Sequence, residues 1–146
     1  MDDAVARSVA RPISIARRPI YAILLPVPIV CFIGALVTDL AYRCSGGNLI
    51  WVNFSSWLIA AGLLFGALAG IVLLIDAIRL RGGWLPFGLL LAAWIVELVN
   101  SLVHARDGWT AVVPLGLILS VIAVMLILIS GWLWQSLRYA VVEVRP

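Results

Sequence analysis

The sequence predicts an all-α fold, a four-transmembrane-helix up-and-down bundle, N-in/C-in. Three observations predict it. Apolar residues make up 64% of the chain, charged residues 12%, and the mean hydropathy is +1.16. A soluble domain carries roughly 25% charged residues, so a water-facing surface cannot be covered here. Four stretches reach the ~20 apolar residues that a spanning helix needs. No segment shows the ~10-residue alternation of a membrane barrel, and helices are then the remaining way to pair every backbone polar group in lipid. At 146 residues the chain is one domain by length.

The elements follow in order. Residues 1–19 form a basic arm with Arg7, Arg11, Arg17 and Arg18. The first span is 20–42. It is too long for a signal-peptide core and ends in Asp39 and Arg43 rather than in small cleavable residues. Pro26 and Pro28 fall early in it, where a missing N–H and a ring clash should kink a helix. The second span is 57–78 and carries Gly62, Gly66 and Gly70 at steps of four, flanked by alanines. The third is 84–104, with Pro86 in its first turn, and the fourth is 111–137, with Pro114 near its start. Residues 138–146 are a short tail.

Orientation follows from the arginines. The chain has no lysine, and its ten basic residues are all arginine. The arm, the second loop (Arg79, Arg81) and the tail (Arg138, Arg145) hold eight of them, whereas Arg43 and Arg106 stand alone in the other two loops. The positive-inside rule then places both termini in the cytoplasm. Trp51, Trp57 and Trp109 form a belt on the far side, with Trp84, Trp132 and Trp134 near the cytoplasmic one. The net charge of +3 is accounted for by these topology signals, so nucleic acid is not expected as a partner. The arm can also attract anionic headgroups, at about 1 kcal/mol per arginine near the surface.

Two features stand out within the spans. Glycines at Gly62, Gly66 and Gly70 line one helix face, where another backbone can approach closely. They serve either a partner subunit or packing within the bundle itself, and the second is favoured. In the third span Glu97, Asn100, Ser101 and His104 lie at offsets of three, four and seven, on one stripe. By helical rise Glu97 lies ~20 Å from the cytoplasmic end, in the outer half of the bilayer. Asp39, with Thr38 beside it, has a similar depth in the first span. Ionisable groups at such depth are costly and point to a site. A pocket of Asp39, Glu97, Asn100 and His104 suits a proton, a polar headgroup or a cation. The plainer reading is that these groups pair with each other and fix helix register. Asp76, three residues before Arg79, reads as half of a surface ion pair.

Catalytic and metal-binding constellations are not expected, and no cofactor follows from the residues. His104 is the single histidine, so bis-histidine haem ligation within one copy is impossible. Cys31 and Cys44 are ~20 Å apart along a helix, beyond disulfide reach. No phosphate loop, Ser–His–Asp pattern or zinc spacing occurs.

Several stretches together resemble a bacterial membrane family, domain of unknown function 2231. They are Pro28 followed by Asp39-Leu40; Ala60-Ala61-Gly62 leading to Asp76; Asn100 followed by Arg106; and Ser130-Gly131-Trp132-Leu133 with Leu137 and Tyr139. The resemblance covers about residues 20–144 and lies in the order and spacing of these stretches. It implies a four-helix inner-membrane protein, associated in some bacteria with redox enzymes, and no established activity. The chain is a divergent member. The family's histidine-proline element in the first helix is absent from 21–28, and Gly83-Trp84-Leu85-Pro86 stands where a histidine is common. If those histidines bind haem or metal, this member has lost that capacity.

The expected function is therefore a non-catalytic membrane subunit that anchors or stabilises a larger membrane complex, respiratory or redox in kind. Its partners are membrane lipid and either other integral membrane subunits or further copies of itself. The alternative is a proton- or small-molecule-handling protein that uses the polar stripe.

Overall fold

The computed structural model describes residues 23–106 and 112–143. Four helices in it are long and apolar enough to cross a membrane. Helix α1 is Pro26–Cys44, α2 Leu49–Leu80, α3 Trp84–His104 and α4 Leu117–Glu143. A short segment, Val112–Gly116, leads into α4. The arm with its four arginines, Trp109 and Arg145 lie outside the described residues.

Each helix start has a local cause. Pro26 stands in the first turn of α1, after a helical stretch at 23–24 and a turn residue, Leu25, that keeps helical dihedrals (φ −64°, ψ −38°). In the first turn a proline lacks only an N–H that would have no partner within the helix. Helix α2 begins well before the apolar run that the hydropathy pattern marks. Asn48 caps it, its side chain accepting from the N–H of Ile50 at 3.1 Å. Asn53, Ser55 and Ser56 dilute the hydropathy of that first stretch without interrupting the helix. Before α4, Val113 is extended (φ −119°, ψ 123°) and Pro114 has no N–H to give, so regular helix resumes only at Leu117.

The helices pack as a closed square, each against its chain neighbours and α4 against α1. Short connections make neighbours antiparallel. Two connections, α1–α2 and α3–α4, therefore lie at one end of the bundle, and the α2–α3 turn lies at the other. The α2–α3 turn needs a glycine: Gly83 has φ +81°, and a side chain there would meet the Trp134 ring at 2.7 Å.

The apolar core is Leu25, Phe32, Ala69, Leu73, Leu90, Ala93, Val124, Ile127 and Trp134. It fills the half of the bundle toward the α2–α3 turn. Outside, large apolar side chains such as Val30 (67% exposed), Trp57 (72%) and Trp132 (69%) cover the surface. That distribution suits a lipid solvent, since the same groups facing water would be a large association hazard.

The glycine face divides. A methyl group at Gly62 would overlap the Phe32 ring of α1, and one at Gly66 would sit 3.3 Å from Trp94 of α3. Both glycines therefore serve packing inside the bundle. Trp94 uses the close approach to donate its indole N–H to the Leu63 carbonyl at 2.9 Å. Gly70 faces open space, with nothing within 4 Å. Asp76, expected at the surface, is buried at 4% exposure.

Candidate functional site

At the end that holds the α1–α2 and α3–α4 connections, the polar residues of the spans converge. Asp39, Ser55, Glu97, Asn100 and Ser120 are each 0% exposed. The carboxylate of Asp39 is the centre. Ser55 donates to its Oδ1 at 2.6 Å and Ser120 to its Oδ2 at 2.8 Å. His104 Nε2 lies 2.9 Å from Oδ1 and 3.2 Å from the Ser55 hydroxyl. Asn100 Nδ2 donates to Ser120 Oγ at 2.9 Å and to Glu97 Oε2 at 3.1 Å. One continuous network thus ties all four helices together: Asp39 from α1, Ser55 from α2, Glu97, Asn100 and His104 from α3, and Ser120 from α4.

Hydrogen-bond chemistry limits where protons sit. His104 Nδ1 faces the Asn100 carbonyl at 3.0 Å. A carbonyl only accepts, so Nδ1 carries a hydrogen. The contact between Nε2 and Asp39 then holds one shared proton. It is either an imidazolium–carboxylate pair or a neutral imidazole–carboxylic acid pair, and both are neutral overall. Neutrality is what a low-dielectric interior demands. Glu97 is different: its Oε2 accepts from the Asn100 amide, and its Oε1 has no hydrogen-bond partner among the described residues. Asn100 Oδ1 is likewise without one. The titratable groups of the cluster are Asp39, Glu97 and His104, and α2 and α4 bring only hydroxyls to it.

The four residues that depth and helical offset singled out, Asp39, Glu97, Asn100 and His104, are therefore brought together. The second companion on the stripe, Ser101, bonds back to the Leu98 carbonyl at 2.7 Å instead. Thr38 likewise turns to its own helix, bonding the Gly34 and Ala35 carbonyls at 2.9 Å each. Ser55 and Ser120 are the members that sequence reading missed. The available signal was symmetry about the connections. Asp39 and Ser55 are about equally far from the Gly46-Gly47 turn, and Asn100 and Ser120 flank the α3–α4 connection in the same way. Antiparallel neighbours bring such residues level. Among the described residues, no three His, Cys, Asp or Glu side chains are placed to hold a metal ion.

Fold and site together define an integral membrane protein of four spanning helices whose buried polar network lies at one end of the bundle. The chain belongs to the family described as predicted membrane protein (DUF2231), whose model matches residues 17–143. No curated protein and no solved structure matches the chain.

Proposed function

We propose that this chain is a non-enzymatic protein of a bacterial inner membrane that binds and releases protons at one membrane face through the Asp39–His104–Asn100–Glu97 network. The observation that carries this reading is the Asp39–His104 contact of 2.9 Å, a shared-proton pair buried where all four helices meet. Structural polar contacts between membrane helices are worth only about 0.6 kcal/mol each on average. Two buried carboxyl groups and an imidazole are an expensive way to obtain that. The apolar core beneath the cluster argues for exchange with one face only and against conduction across the bilayer. The arginine distribution supports the extracytoplasmic face as that side.

Infrared spectroscopy after a pH jump, on the protein in lipid vesicles, tests the reading. A carboxyl band is expected in the parent and should disappear or shift in Asp39→Asn and Glu97→Gln. Indistinguishable spectra for the parent and both variants would overturn it.

A second reading, anchoring of a larger membrane complex, draws support from Gly70, which leaves a side-chain-free patch on the lipid-facing surface. Its partners would be other integral membrane subunits or a second copy. Co-purification in mild detergent that is lost in Gly70→Leu would favour it.

A further inference from the structure

Glu97 and the Asp39–His104 pair are joined by hydrogen bonds that a proton cannot follow. Asn100 stands between them and donates both of its amide hydrogens, one to Glu97 Oε2 and one to Ser120 Oγ. An amide holds those hydrogens covalently and has none to release near neutral pH. Glu97 therefore needs a different route to exchange a proton.

Two acceptors of the network are unused. Glu97 Oε1 and Asn100 Oδ1 are buried on residues that are 0% exposed, and neither has a hydrogen-bond partner among the described residues. A buried polar atom left unpaired costs about 1–3 kcal/mol. Beside Asn100 Oδ1 stands a residue without a side chain. A Cβ at Gly116 would lie 3.4 Å from Oδ1 and 3.2 Å from His104 Cε1. Gly116 also closes the irregular segment before α4, where Val113 is extended.

We propose that Glu97 Oε1, Asn100 Oδ1 and the side-chain-free surface of Gly116 form the binding site of one internal water molecule, through which Glu97 exchanges its proton. Two unused acceptors match the two hydrogens of water, and its oxygen accepts from Glu97 when that acid is protonated. Buried waters ordinarily make two to four such bonds. A hard metal cation takes about six or more oxygens, far more than the two acceptors free here. In the exchange the Glu97 O–H bond breaks as the water oxygen takes that proton. The water then gives one of its own protons to a second water entering from this end of the bundle, which becomes hydronium and carries it to the solvent. This deepens the proton-binding reading above and rests on it.

The test combines an experimental structure with an exchange measurement. Density for an ordered water within hydrogen-bonding distance of both oxygens is expected. A well-resolved map without it overturns the proposal, whatever the protein does with protons. On transfer to heavy water, the carboxyl band that Glu97→Gln removes should shift in the parent. The Gly116→Ala variant, whose methyl group would stand 3.4 Å from Asn100 Oδ1, should slow that shift at least tenfold while Ser101→Ala, whose hydroxyl bonds its own helix, leaves it unchanged. Equal rates in the parent and Gly116→Ala overturn the water site and leave the proton-binding reading standing. Stabilisation by sodium chloride but not choline chloride, lost in Glu97→Gln, overturns it in favour of a bound cation.

Discussion

Asp39 accepts from Ser55 and Ser120 and shares a proton with His104, so its carboxylate is the group on which the network closes. Asp39→Ala takes the acceptor from Ser120 and His104, leaves Ser55 its 3.4 Å bond to the Ala35 carbonyl, and should cost about 3–5 kcal/mol, the range for breaking a buried pair on one side. Asp39→Asn keeps one acceptor oxygen, so thermal unfolding in detergent should rank parent, Asn, then Ala in falling stability. Ser120 links the Asn100 side chain to Asp39. Ser120→Ala should therefore lose about 1–3 kcal/mol by unpairing a donor and an acceptor, a loss that Ser101→Ala, whose hydroxyl bonds only its own helix, should not show. Glu97→Gln is expected to be at least as stable as the parent, because a neutral amide is cheaper to bury than a carboxylate. Glu97→Leu strips the bond to Asn100 and should be less stable than Gln at the same position. The offsets of three and four made Glu97, Asn100 and His104 legible in the sequence as one stripe. The two serines were not legible, because a serine in an apolar helix ordinarily bonds its own backbone, as Ser56 does to Val52 at 2.9 Å.

At the scale of the element, helix α2 shows how little a spacing motif says about direction. Steps of four put Gly62, Gly66 and Gly70 on one face, but only the neighbours decide what each glycine does. Gly62 lies under the Phe32 ring, and Gly62→Ala should destabilise the bundle by about 1–3 kcal/mol through overpacking. Gly70→Ala meets nothing within 4 Å and removes a flexible residue from a helix, so it should be neutral or stabilising by up to about 1 kcal/mol. Measured side by side by thermal unfolding, Gly62→Ala should melt below the parent and Gly70→Ala should not. Gly66→Leu should displace Trp94 and its bond to the Leu63 carbonyl, which destabilises the isolated bundle without any partner present.

For the molecule as a whole, orientation decides which compartment the network serves. Cys44 is exposed at the end of the bundle that holds the network. A membrane-impermeant maleimide added to intact cells should label Cys44. It should not label a cysteine placed by Arg81→Cys in a Cys44→Ser background. The reverse pattern would turn the network toward the cytoplasm. Helix α2, with 32 residues, is ~48 Å long, whereas the hydrocarbon core is ~30 Å thick. It must tilt or project at an end, and its polar start around Asn48 and Asn53 is the part suited to leave the lipid.

Composition and span length alone determined that this chain is a four-helix membrane protein, because a bilayer offers so few ways to satisfy a backbone. Helical offset and depth determined which ionisable residues share a stripe. Tertiary structure decided the rest. It showed that Glu97 is linked to Asp39 through Asn100 and Ser120, that His104 closes on Asp39 at 2.9 Å, and that two of the three stripe glycines face inward. The physical reason is that lipid-facing and core-facing positions of a membrane helix are equally apolar. Hydropathy tells a soluble helix its inside from its outside, but here only contact with the neighbouring helices does.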